Sequence, residues 1–398
     1  MIPGIFASNQ SVMGDRVGDF SSTMLRIDPQ GSALLLMLSS GMSREDAVDT
    51  VTNWFEDAHQ AMRSVVTVGG NSAAGSITVA DGSMFVKNQI LLVDGTGEHL
   101  LVTAVNGNVL TITRGIGATT PATITASTHS VQSIGNAHPE ASVMPPAITQ
   151  QGALRINYTQ IFRNAWGVSG TAKAVKFKTG NRVANNKRQA AGFHAEDMER
   201  AFWFARKHIT AIDGNPFRIA DGLVPQIEQY GGLVTTANSG SVAGQIMHSD
   251  WEDFLRKIFA YNIKGQPNER LVIGGDIAML QLNNMARLDG VQELQAGDNK
   301  FGLKMTQTIT QFGTVNFMTH PLFVENPMWQ KDVYVLHPGG IGKKVLRETF
   351  EDNMDASGNR TNGIDADQGV ITTECCLKVG AAKTMGIYRN WNKAIKTQ

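Results

Sequence analysis

Residues 155–188 read RINYTQIFRNAWGVSGTAKAVKFKTGNRVANNKR, and this stretch decides the fold. Tyr158, Ile161, Trp166, Val168, Val175 and Phe177 are spaced around Gly167 and Ser169-Gly170-Thr171, a pattern of extended chain that predicts a long two-stranded ribbon. From Ala141 to Ala195 there is no Asp or Glu, while Arg155, Arg163, Lys173, Lys176, Lys178, Arg182, Lys187 and Arg188 are all present. A ribbon so one-sided in charge calls for an acidic partner. Directly beyond it, Ala191, Ala195, Met198, Phe202, Ala205 and Ile209 fall at spacings of four and three, predicting a helix from about 187 to 212. At 1.5 Å per residue such a helix runs roughly 37 Å, the width of a domain, so it acts as a spine.

Upstream the texture changes. Residues 1–30 form an irregular polar arm without periodicity. Ser43 and Asp46 look like a cap and first-turn acid, and Ala47, Val51, Trp54, Ala58 and Met62 share a stripe, which predicts an amphipathic helix over 43–62. Between 64 and 137 only Asp81, Lys87, Asp94, Glu98 and Arg114 are charged. Short alternating runs there end in Asp94-Gly95, Asn106-Gly107 and Arg114-Gly115, so this is a small inserted all-β module, sandwich or barrel. Downstream, Ser249–Glu252 has the form of a capping box for a helix with core residues Trp251, Phe254, Leu255 and Ile258. Arg270–Gly275 is a buried strand turning into a helix with Ile277, Leu280 and Asn284 at helical spacing. Strands follow at 306–311, 315–319, 333–337, 370–379 and 385–389, and acids gather near the end at Glu348, Glu351, Asp352, Asp355, Asp365, Asp367 and Glu374.

The chain has 398 residues, 42% of them hydrophobic, with 35 basic residues against 35 acidic. That is enough for two or three cored domains, and the neutral balance gives no whole-molecule field for nucleic acid or an anionic membrane. The longest apolar run, Ala33–Leu38, falls far short of the roughly 18 residues that span a bilayer. No membrane partner is expected. Adjacent Cys375 and Cys376 point to opposite faces of a strand and read as buried hydrophobes.

No catalytic signature closes. Gly167-Val168-Ser169-Gly170-Thr171 fails as a nucleophile elbow at Thr171, which stands where the turn needs glycine. Gly339–Lys344 lacks the leading glycine and the Ser/Thr of a phosphate loop. Asp352–Asp365 does not bring calcium ligands into one register, and no histidine pair has metal spacing. The expectation is a protein with no catalytic residue, cofactor or metal.

An arm, a β-insertion, a basic loop, a spine helix and then a mixed α/β lobe, in that order, resemble the major capsid proteins of tailed bacteriophages, with the HK97-like fold. More narrowly the chain resembles the phage SU10-type major head protein group, through Ile27-Asp28-Pro29 before Leu34-Leu35-Leu36, the run Val109–Gly117, Ser169-Gly170-Thr171 and the helix beginning near Gln189. The resemblance implies an α+β chain: N-terminal arm 1–30, N-terminal helical segment 31–63, inserted β-rich domain 64–137, extended basic β-loop 138–187, spine helix and peripheral domain 188–244, axial domain 245–340 and returning peripheral strands 341–398. It implies a protein of the virion capsid, assembled in the host cytoplasm into an icosahedral shell of hexamers and pentamers around double-stranded DNA, which it touches nonspecifically. Portal, scaffold and decoration proteins are implied partners. The chain starts without a long helical charged pro-region, which suggests a separate scaffold or a mature form. Some relatives crosslink lysine to asparagine, for which Lys173, Lys176 or Lys178 would be candidates, although ordinary ion pairs account for them.

Within that frame the expected contact between subunits sets Arg155, Arg163, Lys173, Lys176, Lys178 and Arg182 of one copy on Glu348, Glu351, Asp352 and Asp355 of the next. Two other readings compete: a nucleic-acid or polysaccharide binding module using the β-insertion and basic ribbon, and a hydrolase centred on Ser169.

Overall fold

The computed structural model describes residues 33–40, 43–57, 62–145, 151–177, 180–239, 242–289, 295–296, 306–353 and 365–396. The arm expected over 1–30 lies outside them. The chain forms two compact units, Met1–Trp54 with Leu154–Gln398, and Phe55–Ala153.

Helix α1 (Ala33–Ser40) buries Leu34, Met37 and Leu38. The helix expected over 43–62 is not formed. Its place holds strands β1 (Ser43–Asp46) and β2 (Val51–Glu56), the second burying Thr52 and Trp54 on alternate positions. The segment is rich in β-branched residues, and β1 pairs in parallel with residues 342–345. A partner strand 300 residues away thus overrode the helical spacing, and Val51 and Trp54, which the helix would have put on one stripe, lie on opposite faces of β2.

The second unit contains a closed six-stranded barrel: β3 (Arg63–Val68), β4 (Ser76–Val79), β5 (Gln89–Val93), β6 (His99–Asn106), β7 (Val109–Thr113) and β8 (Ser130–Asn136), closed in the order β3-β4-β7-β6-β5-β8. Period-two alternation fills it with Val66, Ile77, Val79, Leu91, Val93, Leu100, Val102, Leu110, Ile112 and Val131. Its one deeply buried ion pair ties the 114–122 loop to β6. Arg114 Nε donates to Glu98 Oε1 at 2.8 Å, and Ala122 N donates to Glu98 Oε2 at 3.1 Å. Burial pushes the Glu98 carboxyl up, but Arg114 and the N–H groups of Ala122 and Gly115 outweigh it and hold it below the ordinary range.

The chain returns through β9 (Ala153–Tyr158), which joins β2, and continues as β10 (Gln160–Ser169), helix α2 (Gly170–Ala174) and helix α3 (Arg182–Phe204). The expected two-stranded basic ribbon is therefore corrected: β9 and β10 do not pair with each other, and β10 runs antiparallel to residues 366–375. Helix α3 spans 23 residues, roughly 34 Å. It stops at Phe204, because Ala205 is extended and the β-branched run beyond forms a hairpin, β11 (His208–Ile212) and β12 (Asn215–Ile219). Its buried stripe is Ala190, His194, Met198 and Phe202 with Glu199 and Trp203, one position ahead of the expected Ala191 and Ala195.

Next come α4 (Leu223–Gln229), β13 (Leu233–Thr236), β14 (Gln245–Ile246), α5 (His248–Phe259), β15 (Glu269–Gly274), α6 (Asp276–Asp289), β16 (Gln295–Ala296), β17 (Thr306–Ile309), β18 (Thr314–Thr319) and β19 (Val333–Leu336). The chain ends in β20 (Ile341–Asn353), β21 (Ala366–Val379), β22 (Gly386–Arg389) and β23 (Lys393–Ala394). Helix α5 is capped two residues earlier than expected, at Met247, whose N–H donates to Asp250 Oδ2 at 3.0 Å. Helix α6 buries Ala278, Leu282 and Met285 and exposes Leu280, again a stripe offset from the expected one.

Two sheets organise the first unit. One has four strands in the order β1-β20-β21-β10, the other seven in the order β13-β22-β19-β15-β18-β17-β16. Alternation along the central strands feeds two cores. Leu271, Ile273, Tyr334, Leu336 and Ile387 pack with α1, α3 and α4, while Val272, Val315, Phe317, Val335 and Tyr388 pack with α5 and α6. The last segment, 341–398, supplies strands to both sheets.

Candidate assembly surface

Of the basic and acidic sets, Arg163 on β10 and Glu348, Glu351 and Asp352 on β20 lie on one sheet. Because β10 and β20 both flank β21, the register puts Arg163, Thr372 and Phe350 in one row and Ala165, Val370 and Asp352 in the next. The opposite face of β10, carrying Phe162, Trp166 and Val168, is buried. Arg163, Phe350 and Asp352 stand exposed on a shared face with a cation, an aromatic ring and a carboxylate.

Other members of the two sets close on each other within the chain. Lys173 Nζ lies 2.5 Å from Asp367, and Lys187 Nζ lies 2.7 Å from Glu351, which also accepts from Trp166 Nε1 at 2.9 Å. Glu348 pairs with Arg44. Arg155 sits on β9 with its guanidinium 4.5 Å from the Tyr230 ring centre, and Arg182, the first residue of α3, lies 5.7 Å from that of Phe177. Lys176 is exposed just past α2. Lys178 and Asp355 lie outside the described residues.

Trp166 is held flat by a glycine: a Cβ on Gly369, its partner on β21, would stand 2.6 Å from the indole nitrogen. The exposed pairs among these, such as Lys173 with Asp367, contribute about 0–1 kcal/mol each and shape the surface more than they stabilise it. Glu374, on the same face as Arg163, is different. It is buried, accepts from Thr159 Oγ1 at 3.0 Å and from Arg347 Nε at 2.7 Å, and faces Arg218 at 3.6 Å.

The sequence reading missed a second polar centre. Glu199, on the spine helix, is fully buried despite its charge. Its carboxylate accepts from Leu34 N at 2.8 Å, Leu35 N at 2.9 Å, Trp203 Nε1 at 3.0 Å and His320 Nε2 at 2.7 Å. The spine helix thus caps the start of α1, supplying the anion that a helix N-terminus favours. The available signal was position, since Glu199 follows Met198 and precedes Trp203 by one turn. Asn157 is likewise buried and holds Asp221 and Leu377: its Nδ2 donates to both carbonyls, at 3.0 and 2.7 Å, and its Oδ1 accepts from Asp221 N at 2.8 Å.

Ser169, the residue of the hydrolase reading, caps α2: its Oγ accepts from Ala172 N at 3.2 Å. Cys375 and Cys376 are buried free thiols, and burial pushes the first up to about 12, so neither is a poised nucleophile.

A family model described as SU10 major capsid protein matches residues 6–392. A major capsid protein of Pseudomonas phage PaMx41 is 28% identical over 394 residues, covering 94% of this chain and 93% of that protein. The capsid of the cyanophage P-SCSP1u has a similar fold, with a TM-score of 0.52 at 8% identity over 99% of this chain and 100% of that one. That likeness bears on fold alone, and the fold is HK97-like.

Proposed function

The chain belongs to the SU10 major capsid protein family, and from that premise we propose how its copies meet in the shell. It is a structural protein of the phage capsid and a component of the virion. The family match over nearly the whole chain carries this conclusion. Both the family description and the named relative speak of a capsid protein, which leaves the binding-module reading without support.

A shell protein associates with copies of itself. In our reading the copies form hexamers and pentamers, close around double-stranded DNA and touch its phosphates without reading sequence. Scaffold, portal and decoration proteins complete the particle, and the chain performs no turnover. Weak contacts repeated around the shell sum by multivalency, so no single one has to be strong.

We assign the charged contacts between copies to Arg163, Lys176 and Arg182 on the basic side and Asp352 on the acidic side, with Lys178 and Asp355 joining them by sequence neighbourhood. What supports this choice is that Arg163, Lys176 and Asp352 are exposed with no ion pair among the described residues, whereas Lys173, Glu348 and Glu351 are paired within the chain. Opposed charge sets of this kind fix register and suppress wrong pairings. The test is charge reversal. Lys176→Glu with Lys178→Glu, and separately Asp352→Lys, should lower the yield of particles seen by sedimentation and negative-stain imaging, with monomer melting unchanged. Combining Arg163→Glu with Asp352→Lys should recover part of the loss. Normal particles from both the Lys176/Lys178 double reversal and Asp352→Lys would overturn the assignment.

A further inference from the structure

The β11–β12 hairpin is built with care and then left uncovered. Its five antiparallel pairs run from His208 with Ile219 to Ile212 with Asn215. The connecting Asp213 and Gly214 both have positive φ, 50° and 76°, the backbone of a two-residue turn that matches strand twist. Among the described residues it has no third strand. Every residue of β11 is exposed, as are the first three of β12.

Only the base is tied down. Arg218 faces Glu374 at 3.6 Å, Ala220 N donates to Gln160 Oε1 at 3.1 Å, and Lys207 N donates to Asp221 Oδ1 at 2.6 Å. Beyond that anchor, pairing puts Ile212 and Phe217 on one face and Ile209, Ala211 and Pro216 on the other. Ile209 is 51% exposed, Ile212 50% and Phe217 41%. From Ile209 to Phe217 the sole charged residue is Asp213, at the turn. A two-stranded hairpin is marginal in water without a covering layer, and this one offers apolar side chains on both faces.

We infer that this hairpin is a docking element, inserted into a second copy of the same chain, so that both its faces are covered in the shell. The inference rests on the capsid reading above. A second copy is the occupant the observations favour. The shell surrounds every subunit with copies, the zero net charge lets copies approach without mutual repulsion, and an uncharged strip flanked by polar residues has the composition of an interface core.

The test places a photoreactive benzoyl-phenylalanine at Phe217 in the full chain and irradiates assembled particles. A chain-to-chain product on a denaturing gel is expected. In parallel, Ile209→Ser and Ile212→Ser should each cut particle yield roughly tenfold, as losing an apolar anchor does, with the monomer's melting unchanged. Particles that form normally from both serine variants, or that give no chain-to-chain product at 217, overturn the hairpin's role and leave the capsid reading standing. A wild-type chain that forms no particle even when coexpressed with the phage's other head proteins overturns the capsid reading itself.

Discussion

A buried carboxylate with four donors is costly to disturb, and Glu199 is such a group. His320 supplies one donor, yet its Nδ1 is buried without a partner, so the site is balanced by hydrogen bonds and the α1 terminus more than by paired charge. Glu199→Gln turns one acceptor into a donor facing N–H groups and should cost about 2–4 kcal/mol, measured as a lower urea midpoint. His337 gives a pH prediction. Its Nδ1 accepts from Gly339 N at 3.2 Å, which leaves Nε2 to donate to Asn262 Oδ1 at 2.9 Å, so the imidazole is held neutral. Burial, aided by the charge of Arg270, pulls it from 6.5 down to about 4. A depressed value means the folded state resists protonation, so stability is intact above pH 6.5 and falls as pH drops toward 4. Glu45 and Glu98, whose carboxyls are also held low, weaken the fold only below their ordinary value of 4.5, while burial holds the Asp332 carboxyl above its ordinary value, so that it pulls the other way as pH falls and the histidine's share is read from the variant rather than from the window alone. His194, likewise lowered by burial, contributes there too, and the check is that His337→Gln shows a flatter fall of urea midpoint than wild type across this window.

At the scale of elements, legibility followed the range of the interaction. The β6–β7 turn, the strand from Glu269 and the helix after Gly275 were readable because turn residues and hydrophobic period are local signals. Strands β1 and β2 were not. Their identity depends on β20 and β9, which no short window contains, so pairing overrode a spacing that by itself fits a helix. The same holds for β10. Its extended character and the burial of Trp166 come from its own alternation, but its partner is β21, and that choice turned an expected free ribbon into the edge of a four-stranded sheet. Once the edge was seated, Lys187 and Glu351 came within reach of each other, and part of the charge asymmetry closed inside the chain.

At the scale of the whole molecule, the barrel is the part most complete in itself. Its hydrophobic cluster draws only on residues from Val66 to Val131, and its buried ion pair, Glu98 with Arg114, is internal. Residues 62–138 expressed alone should fold, giving a β-type circular dichroism spectrum and a cooperative melt, while a non-cooperative melt would show that the rest of the chain is needed. The sequence by itself determined the order of textures: an inserted β module, a basic stretch, a long helix, then a mixed lobe. It also determined the likeness to a capsid family, because period, turn chemistry and composition are properties of neighbouring residues, whereas the exact buried stripes of α3 and α6 were shifted by packing. The tertiary structure decided which strands pair, which ions find partners at home, that Glu199 is buried against α1, and that the β11–β12 hairpin stands uncovered. Each of these depends on segments tens to hundreds of residues apart being brought within a few ångströms, and local sequence carries no information about that distance.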